Sequence, residues 1–165
     1  MLDGSLVYNS RMAMGAELAK QHPVDADLVI GIPDSAIAAA VGYSQQSGIP
    51  YGDGLVKNRY VGRTFINPDQ RLRDLGVRTK FNPLPELISG KRLVVLDDSI
   101  VRGTTTPAVI SLLRKGGAEE IHVRICAPPI ISPCHLGVDF STSRELLAAN
   151  MTVEEIRDFL EVDSL

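Results

Sequence analysis

Residues 92–107 read RLVVLDDSIVRGTTTP, and few folds accommodate that order of residues. A short, β-branched apolar run stops at two adjacent carboxylates, Asp97 and Asp98. A turn of hydroxyl-bearing residues and Gly103 follows, and Pro107 opens a helical pattern. The pattern predicts a strand over 92–96 and a helix over 107–115, with Pro107 at the first helical position, where its missing N–H costs nothing. A strand passing directly into a helix is half of a crossover unit, and such units need a parallel neighbour.

The rest of the chain supplies that neighbour. Good helix formers over 10–21, with Met14, Leu18 and nearby alanines available for burial, predict a first helix. Residues 27–32 form a β-branched run with a Gly/Pro stop, hence a strand; an alanine-rich helix over 35–46 follows and ends near Gly48. Residues 49–51 and 55–57 read as short strands around a Gly-Asp-Gly turn. Residues 58–85, rich in charge and proline and weak in periodicity, read as a long functional loop. Beyond the helix, Gly116-Gly117 marks a stop and 121–127 a further strand. Thr142-x-x-Glu145 and Thr152-x-x-Glu155 are capping-box patterns; Met151 and Ile156 add a hydrophobic staple to the second, predicting a helix from Val153 to about Glu161. Alternating strands and helices imply a mostly parallel sheet covered on both faces, with ligands beyond the carboxyl ends of the strands.

Two predicted strand-to-helix loops leave the sheet at that end. Backbone N–H groups of residues 99–105, with the dipole of the helix after them, suit a phosphate monoester, and Ser99, Thr104 and Thr105 add hydroxyl donors. Gly103 would let the backbone approach a ligand closely. Asp97 and Asp98 stand beside this cradle for a metal ion or for sugar hydroxyls, so a phosphorylated ribose satisfies every feature. The bland alternative is an ordinary loop whose acids complement a helix dipole. In the other loop, Gly31-Ile32-Pro33-Asp34-Ser35, Ser35 alone is read most simply as an N-cap. Lys57, Arg59 and Arg63, around Tyr60 and a glycine, read as a solvated loop, as an RNA-contacting patch with an aromatic, or as a lid whose cations meet a pyrophosphate; Arg73, Arg78 and Lys80 follow.

Length and composition limit the alternatives. The 165 residues suit one domain, and a net charge of −3 argues against bulk nucleic-acid binding. Two cysteines, Cys126 and Cys134, make no secreted-type disulfide framework, and the start of the chain lacks an export signal; a soluble, cytoplasmic protein is expected. Cys126 reads as core, and Cys134 as a small buried hydrophobe unless a metal claims it. The three histidines show no ligand spacing, and no Ser-His-acid arrangement is compelled.

VVLDDSIVRGTT resembles the phosphoribosyl pyrophosphate (PRPP) motif of type I phosphoribosyltransferases. GIPDSAIAAAVGYSQQSGIPY, KNRYVGRTFI and VRICAPPIISPCHLGVDFST narrow the resemblance to the amidophosphoribosyltransferase family, from about residue 9 to 158. The resemblance implies a type I phosphoribosyltransferase fold with a flexible lid loop, and the first committed step of purine synthesis. In that step PRPP and ammonia give 5-phosphoribosylamine and pyrophosphate. It implies magnesium at Asp97, Asp98 and Ser35, and a 5′-phosphate held by Ser99, Ile100, Val101, Arg102, Gly103, Thr104 and Thr105. It implies a pyrophosphate loop of Ile32, Pro33, Asp34 and Ser35, with Lys57 and Arg59 nearby, and closure by Tyr60, Arg63 and Lys80. Cys134 matches one of four ligands of a [4Fe-4S] cluster in the iron-sulfur branch.

The family also carries an N-terminal glutaminase domain and further cluster cysteines, which this sequence does not contain. The expectation is therefore a transferase half over residues 1–165, ammonia-dependent at best or inactive, with no cluster assembled on this chain alone. Feedback by purine nucleotides and homo-oligomerisation of the full-length form are implied too, without nucleic-acid or membrane partners. A nucleobase phosphoribosyltransferase and a non-catalytic PRPP-sensing regulator are the alternatives.

Overall fold

Three parallel strands carry the fold, with helices on both sides. The structure, a computed structural model, describes residues 4–58, 80–134 and 142–165. Strands β1 (Leu28–Gly31), β4 (Arg92–Asp97) and β5 (Glu120–Ile125) form the sheet in the order β1-β4-β5. Both pairings are parallel, with Gly31 opposite Leu96 and Leu96 opposite Arg124. The edges are extended by single parallel bridges, Tyr51 to Val29 and Ser164 to His122. Residues 49–51, read as a strand, contribute only that bridge.

Alternation sorts the strand residues onto two cores. Ile30, Leu93, Val95, Ile121 and Val123 face helices α4 (Thr105–Lys115) and α6 (Val153–Leu160). Val29, Val94 and Leu96 face α1 (Val7–Gln21) and α2 (Ile37–Ser47) through Ala19, Ala36, Ala40 and Tyr43. Burial on both faces explains why these strands read as near-continuous apolar runs.

Polar groups pin the register at the amino end of the β1–β4 pair. Arg92 reaches Asp27 Oδ1 at 2.8 Å and Asp25 Oδ2 at 2.6 Å, while its backbone N–H donates to Asp27 Oδ2. Those hydrogen bonds from Arg92 hold the Asp27 carboxyl down at about 2. At the carboxyl end, the Ile32 N–H continues the pairing by donating to Leu96 O at 2.9 Å.

Several boundaries differ from the sequence reading. Helix α1 starts at Val7 without a side-chain cap and buries Gly15 and Ala19, leaving Met14 47% exposed. Ser35 is not the N-cap of α2; Ala36 is, and Gly48 closes the helix with φ of 78°. Helix α4 begins at Thr105, which places Pro107 third, still among the N–H groups that lack an intrahelical acceptor. The expected strand over 121–127 is one residue longer at its start and ends at Ile125.

Part of the stretch read as irregular is ordered. Strand β3 (Phe81–Pro83) pairs antiparallel with β2 (Leu55–Lys57), and Pro85–Ile88 forms a single-turn helix, α3. Three residues, one a proline, carry no local strand signal; a partner distant in sequence creates the strand. The Asn58 N–H donates to Lys80 O at 2.7 Å, so the chain leaves and re-enters the described structure at one point.

Of the two capping boxes, only the second forms. Thr152 Oγ1 accepts from the Glu155 N–H at 3.2 Å, and Glu155 accepts from the Thr152 N–H at 2.7 Å. Met151 and Ile156 pack in the same core cluster, as a staple requires. At Thr142 the pattern yields a 3-10 turn, Ser143–Glu145: the Thr142 hydroxyl donates to Glu145 Oε1 at 3.4 Å instead of capping, and Oε2 accepts from Arg102 Nε at 2.7 Å. The one-turn helix α5 (Leu147–Asn150) follows.

Helices α1 and α2 approach at two glycines. A Cβ on Gly15 would lie 1.8 Å from Ala39 O, and one on Gly42 1.9 Å from Met12 O. Alanine for glycine inside a helix ordinarily gains about 1 kcal/mol. Here we expect Gly42→Ala to lower Tm by more than about 5 °C in thermal denaturation, since two backbones must part. An unchanged or raised Tm would show that the helices do not meet this way.

Candidate functional site

The two loops leaving β1 and β4 lie side by side because their strands are paired and parallel. Between them opens a cavity of about 810 Å3. Of the residues singled out from sequence, Ile32, Pro33, Asp34 and Ser35 line it from the first loop, and Lys57 and Lys80 from the β2–β3 side. Asp97, Asp98, Ser99, Val101, Arg102, Gly103, Thr104 and Thr105 line it from the second. Ile100 differs: its side chain packs against the core and faces a separate apolar pocket. Arg59, Tyr60 and Arg63 lie outside the described residues.

The second loop offers backbone donors that an anion could use. The backbone N–H groups of Ser99, Ile100, Val101, Gly103 and Thr104 donate to no backbone carbonyl among the described residues. Thr104, the N-cap of α4, makes no side-chain cap bond, so its hydroxyl is not committed to the helix. Loop N–H groups without a backbone acceptor can meet a phosphate oxygen at a helix N-terminus.

Gly103 is also tightly packed on the side away from the cavity. Its φ is 63°, and a Cβ there would lie 2.4 Å from Leu147 Cδ1 and 3.1 Å from Phe159 Cε1. The glycine lets the loop pack closely against α5 and α6 while it lines the cavity. Leu147 N–H donates to Val101 O at 2.9 Å, and Arg102 pairs with Glu145, so the far side of the cradle is braced by the C-terminal third of the chain.

The acid pair sits where β4 runs out. Asp97 is only 7% exposed and Asp98 half-buried. The Asp98 N–H donates to Asp97 Oδ1 at 2.8 Å, and the two carbonyls accept from Cys126 and Ala127, tying the acids to the end of β5. Burial pushes the Asp97 carboxyl up to about 7; the Asp98 N–H opposes the rise and the neighbouring Asp98 charge adds to it. Cys126 beside them is also raised, by burial first and then by the carboxylates of Asp98 and Asp97.

Across the cavity, Lys57 Nζ meets Asp34 Oδ2 at 2.5 Å, joining β2 to the first loop. The Pro33–Asp34 peptide of that loop is cis. Ser35 turns its carbonyl toward α1, where Arg11 Nη1 donates to it at 2.7 Å. Arg11 and Phe81 line the cavity unforeseen. For Arg11 a signal existed: it stands four residues before Gly15, on the same helix face.

Cys134 is half-buried and is not among the residues that line the cavity. No Ser-His-acid arrangement was compelled by sequence, yet Ser164, His122 and Glu120 line up, with His122 Nδ1 3.0 Å from Ser164 Oγ and Nε2 3.1 Å from Glu120. Arg124 Nη1 also donates to Ser164 Oγ, and the group fastens the C-terminal bridge to β5.

The phosphoribosyl transferase domain family matches residues 9–128. The chain is 55% identical over 159 residues to the amidophosphoribosyltransferase of Synechocystis sp., covering 96% of this chain and 32% of that protein. It is 54% identical over 165 residues to the amidophosphoribosyltransferase of Methanothermobacter thermautotrophicus, covering 100% and 35%. Among solved structures it is similar to a glutamine PRPP amidotransferase from B. subtilis complexed with ADP and GMP. That match has 51% identity and a TM-score of 0.89, covering 100% of this chain and 36% of that one. The chain thus spans about a third of the length of the relatives it matches.

The raised Asp97 makes stability depend on pH. Between the ordinary 3.8 and about 7, the folded chain holds a proton that the unfolded chain releases. This contribution is fully present below 3.8 and lost as pH rises through about 7. A rise of that size corresponds to about 4 kcal/mol. In metal-free buffer, Asp97→Asn is expected to stabilise the chain at pH 8 and to flatten the pH profile of urea denaturation between pH 4 and 8, with about 4 kcal/mol as the ceiling. A variant with the wild-type slope would remove Asp97 as its source.

Proposed function

The chain belongs to the phosphoribosyl transferase family and has the type I fold, and from that premise we propose that it performs the transferase half-reaction of an amidophosphoribosyltransferase. PRPP and ammonia would give 5-phosphoribosylamine and pyrophosphate, the first committed step of purine synthesis. The observation that carries this reading is the pair of strand-end loops opening into one cavity, with the acids between them. A ligand phosphorylated at both ends of a ribose fits that layout. The 5′-phosphate would occupy the cradle of Ser99 to Thr105, and the pyrophosphate would lie by Ile32 to Ser35 and Lys57. The relatives' shared name favours ammonia over a nucleobase as acceptor.

The chemistry asks for no protein nucleophile. The bond from the anomeric carbon to pyrophosphate oxygen breaks with its electron pair leaving on pyrophosphate. A bond from ammonia nitrogen to that carbon forms, and a proton is then released. Cations at the pyrophosphate end lower the barrier because charge develops there in the transition state. Lys57 and Lys80 line that side, and Tyr60, Arg63 and Arg59 are proposed to join them over bound substrate, excluding water.

Magnesium fits the residues present. It is held by one or two carboxylates plus substrate oxygens, and Asp97 and Asp98, with the Ser35 hydroxyl, offer that donor set around the cavity. When bound, magnesium would neutralise the developing pyrophosphate charge. A [4Fe-4S] cluster does not fit this chain alone: it takes four thiolates and the sequence has two cysteines. Cys134 is proposed as one ligand position within a longer protein.

The reading extends to partners. A glutaminase domain would supply ammonia, and purine nucleotides would act as feedback ligands, in line with the ADP and GMP of the B. subtilis complex. Homo-oligomerisation of the full-length form and a cytoplasmic location complete the proposal. Among the described residues no helix is long and apolar enough to cross a membrane.

Titration calorimetry tests the site. PRPP is expected to bind in the presence of magnesium, and an Asp97→Asn, Asp98→Asn double variant to lose that binding; unaltered binding by the variant would refute the assignment. Pyrophosphate release tests the reaction. We expect turnover with ammonium above a no-acceptor control and none with glutamine, whereas turnover with a free nucleobase alone would point to the other enzyme class.

A further inference from the structure

We infer that Arg11 is a positioning residue for the pyrophosphate end of the cavity, acting by fixing the carbonyl of Ser35 and presenting its guanidinium to the bound anion. The inference rests on the PRPP reading and adds to it a residue from the first helix, outside both strand-end loops.

Its placement follows from helix packing. The glycine contacts at Gly15 and Gly42 bring α1 onto α2 at backbone distance. One turn earlier on the same face, Arg11 therefore arrives at the residues just before α2. Its Nη1 donates to Ser35 O at 2.7 Å, half-buried, across 24 residues of sequence. The same side chain lines the cavity. Asp97 and Asp98 line that cavity too, so Arg11, the first loop and the acid pair share one space.

That contact has a consequence for an anion. The loop is closed by the Ala36 N–H donating to Ile32 O at 3.2 Å, which leaves the Ser35 carbonyl as an acceptor needing a partner. An untethered carbonyl at the cavity wall would repel a pyrophosphate oxygen. Arg11 ties it back toward α1 with one donor, and guanidinium has five in a fixed fork. A lysine could keep the charge there but not hold the carbonyl and face the anion in a set geometry.

The test compares two probes on the full chain with magnesium: inorganic pyrophosphate and ribose 5-phosphate, measured by titration calorimetry. Arg11→Met is expected to weaken pyrophosphate by about tenfold or more while changing ribose 5-phosphate by less than about twofold, because only one end of the cavity loses a charge-assisted contact. Arg11→Lys should fall between wild type and Arg11→Met. Equal losses for both probes would mean general damage to the fold and overturn the inference, as would wild-type pyrophosphate binding in Arg11→Met. If Arg11→Met does not fold, the ratio of the two affinities in Arg11→Lys decides in the same way. A wild-type chain that binds neither probe overturns the PRPP reading itself, which separates that failure from a failure of Arg11.

Discussion

The parallel pairing of β1 with β4 is the constraint on which everything else depends. Gly31 stands opposite Leu96, and the Ile32 N–H continues the ladder to Leu96 O, so both loops start at the same level. A slip of one residue would turn the apolar set of each strand to the wrong face. The Arg92 pairs with Asp25 and Asp27 oppose such a slip from the other end. The cavity is in this sense a product of the sheet's register, with the loops supplying its chemistry.

The site sets stability against function. Asp97 is buried at the end of a strand after the apolar run Leu93 to Leu96, beside a second carboxylate, and burial pushes its carboxyl up to about 7. Such a group is costly to ionise without a cation and well suited to receive one. Among the described residues, the N–H groups of Ser99, Ile100, Val101, Gly103 and Thr104 donate to no backbone carbonyl, which is the matching feature for an anion. Both features become favourable only when ligand is present, as expected of a site organised in advance of binding.

Much of this was legible in the sequence where the signal was local. Residues 92–97 and 28–31 announced strands through apolar runs. Thr152 and Glu155 announced a helix start through reciprocal capping, and the acids with the hydroxyl-rich turn announced an anion site. Thr142 and Glu145 carried the same capping signal without forming a box: the Thr142 hydroxyl donates to one Glu145 oxygen and Arg102 to the other. Strand β3 was illegible, since three residues including a proline become a strand only beside β2. Gly103 was recognised, but its packing against Leu147, forty-odd residues on, is something no local pattern reveals.

By itself, the sequence determined the alternation of strands and helices, the chemistry of the cradle and the family to which that chemistry belongs. Hydrophobic period, turn residues and adjacent carboxylates are properties of neighbours along the chain. Tertiary structure decided which groups share the cavity. Arg11 reaches Ser35 because two helices cross at glycines, Lys57 meets Asp34 across two separate elements, and Ile100 turns into the core while Val101 does not. Those outcomes depend on packing between segments remote in sequence, where close approach of backbones and competition for a single partner settle what each side chain does.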